Sequence, residues 1–230
     1  MKKGHKIQVP NRRTSGVLPY IVLLIVTSLL FCACFGIKSD VLIRGNGSGT
    51  LSMEYRIAEK LLKLGTQDGN ENFPVIPVGQ EDFKRTVDRI EGLELKAFSS
   101  KKENEDIIYQ VKIEYSTLSA LAQFMNTHGG VFEFRENNGL HILNIIFSSG
   151  RKSYQFDTNE FFPAVFKDYA FDFKISFPKK CDVIFLNAGA QRIEKPSYGA
   201  IKIGSKSFEF AAAMSEILTA EEALTLEISW

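Results

Sequence analysis

Three stretches of the chain alternate apolar and polar residues with a period of two, and this pattern restricts the fold more than any other feature. The apolar positions run from Ile107 to Tyr115, from Phe171 to Phe177 and from Leu224 to Trp230. Successive residues of a β-strand point to opposite faces of a sheet, so the alternation predicts strands with one buried and one solvated face. Such strands are typical of antiparallel sheets.

Two segments with helical spacing of apolar residues each precede a pair of predicted strands. The helices are expected at residues 80–90 and 117–127, with weaker patterns at 58–64 and 162–167. The strand pairs are expected at 93–99 with 106–115 and at 131–136 with 140–147, the second pair joined by Asn137-Asn138-Gly139. These helix-plus-hairpin units predict an α+β fold, an antiparallel β-sheet with short helices packed on one face.

An uncharged apolar run at residues 17–37 indicates export. Five basic residues and no acidic ones precede Cys34, which is typical of a segment whose basic end stays in the cytoplasm. Three interpretations fit the run: an ordinary cleaved signal, an uncleaved transmembrane anchor of about 20 residues, and the signal of a bacterial lipoprotein.

Two of the three cysteines stand near the end of this run, in Phe31-Cys32-Ala33-Cys34. The tetrad resembles the lipobox of bacterial lipoproteins, in the relaxed form found in spirochaetes: an apolar residue, a tolerant position and a small residue precede the acylated cysteine. The resemblance implies that the Cys34 thiol receives a diacylglyceryl group. It also implies that the signal peptidase recognises Phe31, Cys32 and Ala33 and cuts after Ala33. Cys32 is a poorer acceptor because bulky Phe31 would precede the cut.

The lipoprotein interpretation predicts a signal peptide at residues 1–33 and a single exported α+β domain at residues 34–230. Two or three acyl chains, such as palmitate, would anchor this domain durably, since one chain gives only marginal membrane binding. The expected location is the bacterial cell envelope, either at the outer membrane or at the outer leaflet of the inner membrane.

The charge of the exported part restricts its partners. Five of the 28 basic residues precede Cys34, so 23 basic and 27 acidic residues follow it. Nucleic-acid binding requires a basic face or stripe, which this balance does not favour. The expected partners are therefore the membrane, a lipid ligand or an envelope protein, and no nucleic acid.

Patterns that would indicate a phosphate or metal site are weak. The glycine-rich stretch at residues 44–50 is followed by alternating residues and not by a helix, which favours a hairpin turn over a phosphate-binding loop. The three histidines, His5, His128 and His141, lack the spacing of zinc ligands. We therefore expect no metal and no cofactor.

Candidate nucleophiles are equally weak. Cys181 follows two lysines, which can lower a thiol pKa, but a lone cysteine at a strand start is more typical of a small packed residue. Ser99 and Ser149 each precede a lysine by three residues, and both are expected in polar turns. The sequence predicts a protein that is not an enzyme.

Seven phenylalanines lie between residues 156 and 177. A packed core explains them, and so does an apolar cavity or groove that binds a lipid or a partner helix.

The order of elements resembles that of the LppM-like envelope lipoprotein domain. The matching parts are GSGTLSMEYRI at residues 47–57, helix 80–90 with its hairpin, and LTLEISW at residues 224–230. The resemblance implies an α+β fold with an apolar cavity and a role in lipid or lipoglycan handling at the envelope, and it assigns no binding residues.

The function expected from the sequence is a membrane-anchored envelope lipoprotein that acts as a non-catalytic binding module for a lipid or another apolar ligand. Two alternatives stay open. One is a protein-interaction or scaffold lipoprotein of the envelope, and the other is a single-pass membrane protein with an uncleaved N-terminal anchor.

Overall fold

The computed structural model describes residues 35–59, 79–126, 131–137, 139–150, 166, 168–181, 183–189, 191–194 and 196–230. These residues belong to one compact unit, Ala33–Trp230. The strands of the described part are β1 (Phe35–Ile43), β2 (Gly49–Ala58), β3 (Leu93–Glu103), β4 (Asp106–Tyr115), β5 (Val131–Asn137), β6 (Leu140–Ser149), β7 (Ala170–Ser176), β8 (Val183–Ala188), β9 (Gln191–Ile193), β10 (Ala200–Ile203), β11 (Ser207–Ala213) and β12 (Ala223–Ser229). The helices there are α1 (Gln80–Asp88), α2 (Leu118–Asn126) and α3 (Met214–Thr219).

The described strands form two sheets. Sheet A has seven strands in the order β10-β11-β7-β1-β2-β4-β3, and sheet B has five in the order β5-β6-β12-β8-β9. All pairs are antiparallel except β1 with β7, which is parallel. The chain is therefore α+β, with two largely antiparallel sheets and a few short helices.

The expected single sheet is wrong in this respect. The first helix-plus-hairpin unit contributes β3 and β4 to sheet A, whereas the second contributes β5 and β6 to sheet B. The alternation of apolar residues shows that a strand has a buried face, but it carries no information about which of two sheets buries that face. The strands predicted from the alternation are present, but they belong to two sheets and not to one.

The core lies between the inner faces of the two sheets. Phe147 on β6 is the clearest link, because its ring centroid lies 5.4 Å from that of Phe173 on β7 and 4.8 Å from that of Phe210 on β11. Sheet A buries the alternate residues predicted from the sequence, including Val111 and Ile175. Charged residues occupy the opposite face of sheet A. There Glu209 of β11 pairs with Lys174 of β7 and Lys202 of β10.

Helix α1 lies beside the β2–β4–β3 part of sheet A. Phe83 on α1 is fully buried, with its ring centroid 5.9 Å from Tyr55 of β2 and 5.8 Å from Phe98 of β3. Glu81 and Asp82 in the first turn suit the positive end of the helix dipole. Helices α1 and α2 confirm the two main helical predictions to within two residues at each end.

The glycine-rich stretch is a hairpin turn, as predicted. The Arg44 N–H donates to the Ser48 carbonyl at 2.8 Å, and the Gly47 N–H donates to the Arg44 carbonyl at 3.0 Å. Gly47 has a φ of +80°, a conformation that residues with a side chain rarely adopt. The stretch therefore joins β1 to β2 and forms no phosphate-binding loop.

Two predicted boundaries differ from the structure. β1 begins at Phe35, so residues 35–37 of the apolar run belong to sheet A. β3 extends to Glu103, which leaves Asn104 and Glu105 as the turn and places Ser99 within the strand. The weaker helical patterns at 58–64 and 162–167 fall almost entirely outside the described residues. Among the described residues, no helix is long and apolar enough to cross a membrane.

Candidate functional site

The four lipobox residues, Phe31, Cys32, Ala33 and Cys34, lie outside the described residues. The residue after them is the first of β1, and β1 is the central strand of sheet A. It is paired with β2 from its first residue, where Phe35 is in register with Ile57, and with β7 from its third, where Ile37 is in register with Phe171. The predicted acylation site is thus covalently adjacent to the middle of the folded sheet.

The strand ends of sheet A at which β1 begins are called the Cys34 end. This surface is defined by Gly36, Arg56, Lys101, Lys102, Asp106 and Tyr169. Two rows of register partners run along it. The first joins Phe35, Ile57, Ile107 and Lys102, and the second joins Gly36, Arg56, Ile108 and Lys101. Neighbouring strands are about 4.8 Å apart, so these rows extend about 14 Å from β1 to β3.

Opposite charges at the Cys34 end are paired. The Arg56 guanidinium lies 3.2 Å from a Glu103 carboxylate oxygen and 3.4 Å from one of Asp106. Lys101 pairs with Glu103 at 3.0 Å, and Lys102 pairs with Glu59. Hydrogen bonds from Lys101 and Arg56 lower the pKa of Glu103. Because these groups are largely exposed, the pairs hold local geometry and contribute little to overall stability.

Tyr169 crosses the outer surface of β1 at the same end. Its hydroxyl donates a 3.1 Å hydrogen bond to Asp106, two strands beyond β1. A Cβ atom at Gly36 would lie 3.4 Å from the Tyr169 ring, so the ring lies directly over this residue of β1. Tyr169 and Asp106 were not identified from the sequence, because no local pattern relates residues 63 positions apart.

An open depression of about 470 Å³ lies beside Tyr169 on the outer face of sheet A. Its lining residues are Asp168, Tyr169, Ala170, Asp172, Gly199, Ala200, Ala211, Ala212, Ala213 and Glu216. Glu216 accepts a hydrogen bond from the Ala213 N–H at 3.0 Å, which uses one of its oxygens within the fold. Among the described residues no cluster of His, Cys, Asp and Glu is arranged to hold a metal ion.

Aromatic side chains occupy the opposite end of the sandwich. The Trp230 ring lies 4.9 Å from Phe177 and 5.4 Å from His141, and His141 stacks on Phe134 at 5.7 Å. His141 and Trp230 also exchange backbone hydrogen bonds of 3.1 and 3.2 Å. His141 is thus part of the packing between β6 and the C-terminal residue.

The phenylalanine-rich stretch is only partly described. Phe171, Phe173 and Phe177 line the inner face of sheet A, where the first two contact Phe147. Phe166 is half-buried, whereas Phe156, Phe161 and Phe162 lie outside the described residues. Where it is described, the stretch contributes to the packed core.

The other sequence candidates are dispersed. Cys181 is half-buried, packs against the core and donates its backbone N–H to the Ser205 carbonyl at 2.9 Å. Ser99 is exposed on β3 in sheet A, and Ser149 is the last residue of β6 in sheet B. His128 lies outside the described residues. The structure therefore brings none of the described candidates together into a common site.

Comparison of the chain with models of protein families, with curated proteins and with solved structures finds no match.

Proposed function

We propose that this chain is a lipoprotein of the bacterial cell envelope, cut after Ala33 and acylated on the Cys34 thiol. The observation that carries the proposal is the start of β1 at Phe35, directly after the predicted acylation site. A cut between Ala33 and Cys34 would remove the signal and leave sheet A complete. Processing of a functional domain requires both.

The same observation bears on the uncleaved anchor. Because residues 35–37 belong to β1, only residues 17–34 are left for a membrane-spanning helix. Eighteen helical residues extend about 27 Å, at the short end of the range of about 17–25 residues that spans the hydrocarbon core. The shorter run supports a cleaved signal over a spanning helix.

Intact-mass analysis of the membrane-bound protein tests the proposal. We expect a chain that begins at Cys34 and carries a diacylglyceryl group, and we expect Cys34→Ser to abolish both the cut and membrane attachment. Cys32→Ser is the matched control, because position 32 is the tolerant position of the lipobox and its substitution leaves processing intact. An unprocessed chain in the wild type, or normal processing of Cys34→Ser, contradicts the proposal.

For the exported domain we propose a binding role without catalysis. A lipid or another apolar ligand is the first candidate, as the resemblance of the element order to the LppM-like domain implies. The described phenylalanines around Phe147, Phe173 and Phe210 pack against one another in the core. Native mass spectrometry of residues 33–230 carrying Cys34→Ser tests it, with co-purified lipid as the expected result. An empty domain contradicts lipid binding. This segment keeps all of β1, which begins at Phe35.

An envelope protein is the second candidate partner. Leu42, Leu140 and Ile203 are 42%, 40% and 58% exposed, the large apolar side chains most open to solvent in the described part of the chain. All three lie towards the end of the sandwich that carries Trp230, since Leu42 is next to the end of β1, Ile203 is in register with Phe208, and Leu140 precedes His141. Crosslinking in intact membranes from that end, with recovery of one specific partner, would favour this role over lipid binding.

We also propose that the two helix-plus-hairpin units are structural equivalents, each with its helix packed on the hairpin that follows. The burial of Phe83 on α1 against Phe98 of β3 supports this arrangement in the first unit. Leu121 and Phe124 of α2, both buried, support it in the second.

A further inference from the structure

The connection between the predicted lipid and the fold is as short as a chain allows. The acylated sulfur would belong to Cys34, and Phe35 is already paired with Ile57 in sheet A. β1 pairs with β2 from its first residue, Phe35, and with β7 from its third, Ile37, so its start cannot leave the sheet without breaking the pairing with β2. No flexible tether separates the anchor from the domain.

A short connection restricts the height of the surrounding residues above the membrane. The headgroup region extends about 5–8 Å beyond the hydrocarbon on each side. Lys102 is in the same register row as Phe35, and Arg56 and Lys101 are one residue further along. When the acyl chains are inserted and the strands stand on the bilayer, the whole Cys34 end lies within reach of the lipid headgroups.

The side chains of the Cys34 end suit that environment. Tyr169 combines an aromatic ring with a bonded hydroxyl, the combination that is enriched at membrane–water interfaces. The basic groups Arg56, Lys101 and Lys102 are each paired with a carboxylate. Paired charges lose less hydration energy near a low-dielectric layer than isolated charges do.

From this geometry we propose that the Cys34 end of sheet A is a lipid-contact surface that rests on the membrane headgroups, with the strands of sheet A directed away from the bilayer. The inference rests on acylation of Cys34. β1 then spans about 27 Å from the anchor to Ile43, and the apolar residues Leu42 and Ile203 are displayed at the end away from the membrane.

Quenching of fluorescence by nitroxide-labelled lipid headgroups tests this orientation on the mature, acylated protein. One label goes on Ser100→Cys, which is exposed on β3 in the register row of Ile37, two residues from Phe35. The other goes on Ser205→Cys, exposed in the turn after β10, about 20 Å further along the strand direction. Both are made with Cys181→Ser, so that the introduced thiol is the one labelled.

The vesicles consist of phosphatidylcholine, because Asp168, Asp172 and Glu216 near this end would be repelled by anionic lipid. A second variant carries twelve Gly and Ser residues between Cys34 and Phe35. Such a linker has a root-mean-square length of about 19 Å, which releases the domain from the surface without changing the fold or the lipid.

We expect quenching at Ser100→Cys to be several-fold greater than at Ser205→Cys, and we expect the linker to reduce it to the Ser205→Cys level. Equal quenching at the two positions, or no effect of the linker, overturns the proposal. The mass of the same samples separates the two levels of inference. An acylated Cys34 with equal quenching refutes only the contact surface, whereas an unmodified Cys34 refutes the lipoprotein as well.

Discussion

The hydroxyl of Tyr115 donates a 2.8 Å hydrogen bond to the carbonyl oxygen of Leu42, across the intervening strand β2. The ring passes over Gly49, the register partner of Tyr115 in β2. A Cβ atom at Gly49 would lie 1.9 Å from the Leu42 oxygen and 2.2 Å from the Tyr115 oxygen. The hydrogen bond therefore depends on the absence of a side chain at residue 49. The stability measurements described below are made on residues 33–230 with Cys34→Ser.

Gly49→Ala should destabilise the domain by at least about 2 kcal/mol, because the added methyl overlaps both bonded oxygens and forces the strands apart. Urea unfolding followed by circular dichroism measures the change. Gly45→Ala is the matched control in the same hairpin, since nothing lies within 4 Å of a Cβ there, and it should change stability by less than about 0.5 kcal/mol. Equal effects of the two substitutions would refute the packing argument.

Stability should fall at alkaline pH, in part through Tyr115. Burial raises the pKa of this tyrosine, so above its ordinary value near 10 the unfolded chain loses the phenolic proton while the folded chain keeps it. The stabilisation is complete below pH 10 and is lost with rising pH, by about 1.4 kcal/mol per pH unit for one tyrosine.

Tyr115→Phe isolates this contribution. At pH 7 it should cost about 1 kcal/mol through loss of the hydrogen bond to Leu42. Above pH 10 its free energy of unfolding should fall less steeply with pH than that of the wild type. The difference in slope should be about 1.4 kcal/mol per pH unit, the contribution of one proton. Urea titrations at several pH values between 7 and 11 give both quantities, and parallel pH profiles would contradict the assignment.

Asn126, the last residue of α2, is joined to Phe132 of β5 by two hydrogen bonds. Its amide nitrogen donates to the Phe132 carbonyl at 3.1 Å, and its amide oxygen accepts from the Phe132 N–H at 2.7 Å. Asn126→Ala leaves the backbone N–H and carbonyl of buried Phe132 without these partners. It should lower the free energy of unfolding by about 1–3 kcal/mol.

Asn126→Asp keeps the acceptor and loses the donor, so an intermediate loss is expected in the same urea titration. Gln110→Ala is the control, since its side-chain bond to Glu54 is exposed, and it should change stability by less than about 0.5 kcal/mol. An Asn126→Ala variant as stable as the control would show that the paired bonds contribute nothing.

Phe147 joins the two sheets, and its removal should weaken the sandwich more than any surface change. Its ring lies 4.8–6.2 Å from those of Phe171, Phe173, Phe208 and Phe210. Phe147→Ala should cost about 3–5 kcal/mol, and Phe147→Leu about 1–2 kcal/mol, because leucine fills part of the space. Thermal unfolding with matched urea curves measures both. A loss below 1 kcal/mol for alanine would mean that the sheets are joined mainly elsewhere.

The sequence determined the strands with regular alternation and the two main helices. β4, β7 and β12 occupy the stretches whose residues alternate, and α1 and α2 occupy those with helical spacing. These patterns are local, because a residue two or four positions away is enough to show which face is buried. The start of β1 was less predictable, since residues 35–37 continue an apolar run that also fits an export signal.

Tertiary structure alone decided which sheet each strand joins and which side chains meet at the Cys34 end. β1 pairs in parallel with β7, so Ile37 adjoins Phe171, and Tyr169 reaches Asp106 of β4 across β1 and β2. Such contacts join residues far apart in the chain, and their choice depends on how the whole apolar surface is covered, because the alternation of one strand is satisfied equally well by any partner that buries the same face.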